Sequence, residues 1–457
     1  MRALAPPDAF PGSFDAVFVL RLLTVLVMIF PSDIVLKPIG AAAFPGGLAA
    51  MGAFALWAAA SLFGLHRPAT RRTPTHLALL AVWPCSLASF LVMHLHEQDG
   101  FVLRSGDRWI MQLAGWSGAA LLAAEALTRL DQIRTVVRSL TNAGAVVGVI
   151  AALQFWAGLD LAVYLRMIPG FETAGSTLGI DSRAGLARVA GTALHPIELG
   201  VVAAMLLPLA VWLAVYDTST TPGRRWLRVA LIGLCIPTTV SRSAVLAVVA
   251  SMGTLIVLLP ARQRVLGLSL VPAAAAGVFV SARGVIATLA SFFTAGSNDS
   301  SIANRIEDWS TVERLVALSP WFGHGGGSYL PPHPMLNLDN QFLKSAIELG
   351  LVGVSLLGAC YLLLPAIVVL RTRRGCGDLE LTTLCAALGG AALAATLTTA
   401  TFDSLSFPMF AHVHALLLGL IGATVVVVRA STSPDPRPKT SALAASPTPR
   451  AASRPPS

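Results

Sequence analysis

RVALIGLCIPTTVSRSAVLAVVASMGTLIVLL, residues 228–259, holds two apolar runs joined by the short polar turn Thr238-Thr239-Val240-Ser241-Arg242-Ser243. After Arg228, Arg242 is the only charged residue in the stretch. Runs so close together read as a helical hairpin. Hydrocarbon accepts such surface directly, whereas a water-soluble fold must hide it. The rest of the chain repeats the pattern. Apolar runs of spanning length occur at about 14–31, 44–64, 75–95, 108–127, 136–158, 195–216, 226–240, 243–260, 264–283, 343–370, 380–400 and 405–428. Composition agrees: of 457 residues 55% are apolar and 12% charged, against about 25% charged in a soluble domain.

The twelve candidates predict an all-α, polytopic transmembrane bundle of about 12 spans. The formal charge of +9, from 32 Lys+Arg against 23 Asp+Glu, reads as basic loops that hold helices in place rather than as a nucleic-acid surface. With the N-terminus inside, every inner loop is basic: twenty Lys/Arg fall on inner segments, eleven on outer ones, and Arg21 within the first span. Both termini are therefore expected in the cytoplasm. The long segments at about 159–194 and 284–342 fall outside, the second between spans 9 and 10. Residues 1–429 form the transmembrane domain, and the Pro/Ser/Ala/Arg-rich tail 430–457 reads as disordered and cytoplasmic. Asp15 ahead of the first apolar run and Arg21 inside it argue against a cleavable signal. The five cysteines show no ligand spacing and read as structural.

Three outer arginines stand apart. Arg188 opens RVAGTALHPIELG (188–200), which runs into the sixth span. Arg242 sits at the tip of the hairpin, where a snorkelling cation is the simple account. Arg305 begins RIEDWSTVERLVALSPWFGHGGGSYL (305–330). For Arg188 and Arg305 the simple account is a solvated loop charge. Arginines converging on one side of a bilayer are also suited to grip phosphate or pyrophosphate by forked hydrogen bonds. In the long outer loop Ile302, Ile306, Trp309, Val312 and Val316 share one helix face, as in an amphipathic helix lying on the membrane with Trp309 in the interfacial belt. The run Gly323–Gly327 reads as a flexible turn, or functionally as a backbone anion cradle. Beyond it Asp339 and Asn340 stand at the mouth of the tenth span. Glu348 lies inside that span, with Lys344 at i−4 as its expected partner. Asp403 is a further carboxylate at a helix mouth. His324 and His333 are weak ligand signals, and no metal site or cofactor is expected.

Taken in order, these segments resemble the O-antigen ligase/polymerase superfamily, the Wzy-type membrane glycosyltransferases. The carriers are Arg188/Gly191/Pro196, then Ser241/Arg242, then Arg305/Trp309/Pro320/Gly323/Gly325, and last Asp339/Asn340/Leu343/Glu348/Gly350/Gly353. One departure is Asp339, where ligase-type members usually place His; Asp-Asn resembles a polymerase-like variant. The resemblance implies a metal-independent glycosyltransferase of the bacterial cytoplasmic membrane. It would polymerise or ligate oligosaccharide from a polyprenyl-pyrophosphate-linked donor on the outer face, for surface polysaccharide assembly. Its implied partners are that donor, a glycan or lipid-linked acceptor and membrane lipids, with no nucleic acid. Arg188, Arg242 and Arg305 would stabilise the leaving pyrophosphate, and Asp339 would act on the acceptor hydroxyl, with His333 in reserve. Trp309, His333, Asn340 and Glu348 complete the expected substrate-binding set. A multi-pass transporter or a lipid-linked oligosaccharide flippase is the competing expectation. The former usually shows two similar halves and a midplane site, and no repeat or cluster of mid-span charges is visible here.

Overall fold

The structure, a computed structural model, describes residues 15–37, 43–64, 73–96, 99–174, 181–183, 186–265, 267–269, 276, 300–331 and 337–432. Helices occupy every expected apolar run except the ninth, 264–283, most of which lies outside the described residues. In chain order they are α1 (Ala16–Ile29), α2 (Pro45–Leu62), α3 (Pro74–Leu95), α4 (Gly100–Ala126), α5 (Leu130–Ala152), the short α6 (Ala162–Arg166), α7 (Pro196–Tyr216), α8 (Pro222–Thr238), α9 (Arg242–Leu258), α10 (Ser300–Leu318), α11 (Gln341–Leu356), α12 (Leu364–Thr372), α13 (Leu379–Thr398) and α14 (Pro408–Thr432). By length and composition, 7 of the described helices suffice to cross a membrane, with α1 and α9 shorter apolar helices beside them. The tail expected at 430–457 lies outside the described residues from 433 onward; before that, α14 runs on to Thr432.

Helix starts follow local chemistry. Pro45, Pro74, Pro196 and Pro222 open their helices, where the missing N–H costs nothing and φ is already helical. Side chains of Asp15, Asp99, His195, Ser241, Asn340 and Asp378 cap others by accepting a first-turn N–H. The core is mainly Ala and Leu, with α14 buried along most of its length. Small residues let helices meet: a Cβ on Gly390 of α13 would lie 2.4 Å from Ser251 O of α9.

Two departures from the sequence expectation concern the outer segment 159–194. It is not all loop, and the molecule is not purely helical. β1 (Ile34–Leu36) pairs antiparallel with β2 (Phe171–Thr173), Ile34 opposite Thr173. β3 (Asp181–Arg183) pairs with β4 (Leu186–Arg188), Asp181 opposite Arg188. Between helices, short antiparallel pairs satisfy backbone groups that a coil would leave open.

The basic residues sort by their partners. At one end, Arg138 grips Asp217 in a bidentate pair, 2.7 and 2.9 Å. Nearby, Arg134 meets Glu380 and Arg225 donates to Ala214 O. At the end that carries the strands, Arg166 bridges Asp33 at 2.9 Å and Asp160 at 3.2 Å, and Lys344 meets Asp403 at 2.7 Å.

Candidate active site

Arg188 is 6% exposed, so it is not a solvated loop charge. Its Nε donates to Thr239 O at 3.1 Å, and the next backbone N–H, of Val189, donates to Thr238 O at 3.3 Å. The strand end thereby docks on the tip of the α8–α9 hairpin, three residues from Arg242. Gly191 then turns the chain at φ +63°. Both its backbone groups are held by the Gln154 amide, at 2.8 and 3.2 Å. Pro196 starts α7 behind the His195 cap. The Arg-x-x-Gly…Pro spacing is therefore a docking residue, a turn and a helix start.

At the hairpin tip Val240 has φ +45°, and among the described residues no other non-glycine has positive φ. A β-branched side chain is rare in that region, and strain of this kind gathers at functional sites. Ser241 caps α9 by accepting from Ala244 N, and Arg242 is its first residue, half-buried. A cation there opposes the helix dipole, and an anion would relieve the opposition.

Packing sets what else lies at this level. A Cβ on Gly200, near the start of α7, would touch Ala244 of α9, whereas Trp212, near the end of α7, donates to Glu380 O at the start of α13. So α9 and α13 run antiparallel. From the contact of Ser251 with Gly390, Arg242 lies nine residues back along α9 and Thr399 nine residues on along α13, about 13 Å in each case at 1.5 Å per residue. Thr399 O accepts from Gln341 N at 3.1 Å. The mouth of α11, with the exposed Asp339 before it, thus stands at the same end as Arg188 and Arg242.

The segment between α10 and α11 does something the sequence did not suggest. Gly350 breaks α11 with φ +70° and ψ −175°, a conformation that is essentially Gly-only. Segment 320–325 fills the break. Leu351 N donates to Pro320 O at 2.8 Å and Val352 N to Trp321 O at 3.3 Å; in return His324 N donates to Ile347 O at 3.0 Å and Gly325 N to Glu348 O at 2.9 Å. A Cβ on Gly323 would meet Glu348 C and O, and one on Gly350 would meet Trp321 C and O, all at 2.4 Å. The glycine run is therefore neither a flexible turn nor a free anion cradle, because its N–H groups at 324 and 325 are already committed. The His324 ring is also occupied, bonding Leu315 O at 2.9 Å near the end of α10.

Glu348 is 1% exposed and accepts from Tyr329 N at 3.3 Å. Lys344, its expected partner, acts on it through charge, but the ammonium's hydrogen bonds go to Asp403 Oδ2 at 2.7 Å and Ser406 Oγ at 2.8 Å, because the turn after α13 brings a better-placed carboxylate to it. The Asn340 side chain caps α11, accepting from Phe342 N and Leu343 N. Glu348 and Asn340 thus each hold backbone in place. On α10 Val312 is 5% and Trp309 61% exposed, and Val312 packs with Leu338 and Ile347. Val312, expected to share a membrane-facing side with Trp309, is instead turned into the protein, while Trp309 remains exposed. Arg305 lies on α10, but its side chain is outside the described residues, as is the whole of His333. Among the described residues no group of three or more His, Cys, Asp or Glu is arranged to hold a metal.

Sequence reasoning missed Glu198 and Gln341, which tie the site together. Glu198, fully buried, accepts from Leu194 N at 2.7 Å and Phe410 N at 3.0 Å. Gln341 Oε1 accepts from Leu405 N at 2.8 Å. A signal for Glu198 was present, since His195-Pro-Ile-Glu198 has the spacing of a capping box.

No curated protein matches the chain. A family model described as O-antigen ligase matches residues 227–358, from α8 through the hairpin, α10, the inserted loop and the break in α11. Arg188 and Asp403 flank that stretch on either side. Several apolar helices and this match together make the chain a multi-pass membrane protein. The match over residues 227–358 supports placing the chain in the O-antigen ligase/polymerase superfamily.

Proposed function

We propose that the protein transfers oligosaccharide from a polyprenyl-pyrophosphate-linked donor to a glycan or lipid-linked acceptor, on the outer face of the bacterial cytoplasmic membrane. Both termini would be cytoplasmic, in the topology of twelve spans. The carrying observation is the docking of Arg188 on the hairpin whose strained tip presents Arg242 at the start of α9. In the step, the acceptor hydroxyl oxygen forms a bond to the donor's C1 and the C1–O bond to pyrophosphate breaks. The leaving pyrophosphate takes the electron pair, and the hydroxyl proton passes to Asp339. Arg188, Arg242 and Arg305 stabilise the departing charge, as fixed guanidinium groups do in phosphoryl chemistry.

The test is purified protein with a defined polyprenyl-pyrophosphate oligosaccharide, reading product length. Longer glycans identify a polymerase, and a single transfer to a second acceptor identifies a ligase. Arg242→Ala should lower turnover about 100-fold or more, and Arg242→Lys should not restore it, because an ammonium lacks the fork. Full turnover in Arg242→Ala and Asp339→Asn refutes the mechanism. Movement of the donor across liposomes without any transfer would make the protein a flippase.

A further inference from the structure

Near the same end of the bundle a cavity of about 160 Å³ lies between the segment after α1, α2, α4 and α14, with Ser32, Gly47, Gln112, Trp116 and His412 in its lining. One water needs only about 10–15 Å³, so the cavity is too large for a single structural water. Its lining also includes Ser406, which accepts from Lys344. The cavity thus adjoins the mouth of α11.

Three of its lining side chains are nearly fully buried, and each carries a polar atom with no hydrogen-bond partner. These are Ser32 Oγ (residue 5% exposed), Trp116 Nε1 (2%) and His412 Nε2 (4%). Buried polar groups in native proteins are normally satisfied, and all three of these belong to residues that line the one cavity. Their chemistry is complementary. His412 Nδ1 lies 2.7 Å from Pro408 O, and a carbonyl only accepts, so Nδ1 carries the hydrogen. In the neutral ring Nε2 is then a bare acceptor. Trp116 Nε1–H only donates, and the Ser32 hydroxyl does both. Gly47 keeps the space beside Nε2 open: a Cβ there would stand 3.6 Å from it.

A donor, an acceptor and a hydroxyl match the hydrogen bonding of sugar hydroxyl groups. An alkyl chain would leave all three unsatisfied, and a phosphate would face the lone pair of Nε2. We propose that this cavity is a subsite that seats one sugar unit of a glycan substrate, held by His412, Trp116 and Ser32. The identification of the occupant as part of a glycan substrate rests on the glycosyltransfer reading above; the site's preference for hydroxyl groups does not.

The test is calorimetric titration of full-length protein in phosphatidylcholine nanodiscs, whose headgroups carry no hydroxyl, with the methyl glycosides of glucose, galactose and mannose. At least one should bind saturably, about tenfold more weakly to His412→Phe and to Trp116→Phe. Gly47→Ala serves as the variant that keeps the fold, since its methyl meets only ordinary contacts and Ala favours a helix over Gly. It should weaken binding while thermal stability stays equal or rises. Absence of saturable binding by any glycoside, or binding to all three variants as to wild type, overturns the proposal. Because the readout is binding, wild-type affinity lost in the variants sustains the site even if no transfer from a pyrophosphate donor is ever detected.

Discussion

Replacing Gly350 with Ala probes the join between the outer loop and α11. A Cβ at that position meets backbone atoms, Trp321 C and O at 2.4 Å and Phe322 N at 2.6 Å, and none of these can swing aside as a side-chain end would. The residue must also hold φ +70°, which costs a non-glycine about 1–3 kcal/mol. If the loop retreats, the four hydrogen bonds between segments 320–325 and 347–352 are lost, at about 1 kcal/mol each. The variant should therefore be destabilised by about 3–6 kcal/mol, and the loop should become open to protease. Thermal unfolding in detergent, together with limited proteolysis of the 319–331 segment, reads both effects. Gly52→Ala is the control, because a Cβ there meets nothing within 4 Å and Ala stabilises a helix interior by about 1 kcal/mol. A Gly350→Ala protein that melts with wild type and resists cleavage equally would refute the stitched-break account.

Other outcomes follow from the ion pairs and the caps. Lys344→Met should destabilise by about 1–3 kcal/mol, since the partly buried Asp403 carboxylate loses the cation on its Oδ2. Adding Asp403→Leu should recover most of the loss, and a double-mutant cycle by chemical denaturation checks this. At the other end, burial of Asp217 opposes its ionisation, but hydrogen bonds from Arg138 outweigh that and hold its carboxyl at about 2, below the ordinary 3.8. Its contribution, about 2 kcal/mol, is complete above pH 4 and lost as pH falls through about 2. Acid unfolding of Asp217→Asn should be correspondingly flatter in that window, and an unchanged acid profile would contradict the assignment. His195→Ala should cost about 1 kcal/mol through the lost cap of α7, visible as a lower melting temperature.

Much of the fold was legible because hydrophobicity is a local property. The apolar runs sit where helices lie, and prolines mark several starts. The arginines of the basic loops meet carboxylates or carbonyls at helix ends, as Arg138 and Arg225 do. The strands were not legible: three-residue pairs such as 34–36 with 171–173 depend on a contact across more than a hundred residues. The same limit governed the site. Lys344 had Glu348 one turn away in sequence, and helix periodicity alone pairs them; only the turn after α13 shows that Asp403 takes the ammonium. The glycine motifs on each side of Asp339 looked like two separate features. They are complementary surfaces of one contact, with Gly323 against Glu348 and Gly350 against Trp321. Arg188 is the opposite case, since its place in an ordered pattern marked it before its burial was known.

The break in α11 has a consequence for how the protein is made. Alone in lipid with the break kept, that helix would expose the N–H groups of Leu351 and Val352 and the carbonyls of Ile347 and Glu348, at several kcal/mol for each group. Without segment 320–325 it would have to straighten at Gly350 to satisfy them. The segment that completes it, 320–325, lies earlier in the chain and so leaves the ribosome first. Synthesis order therefore makes the segment that holds the break available before the helix that needs it.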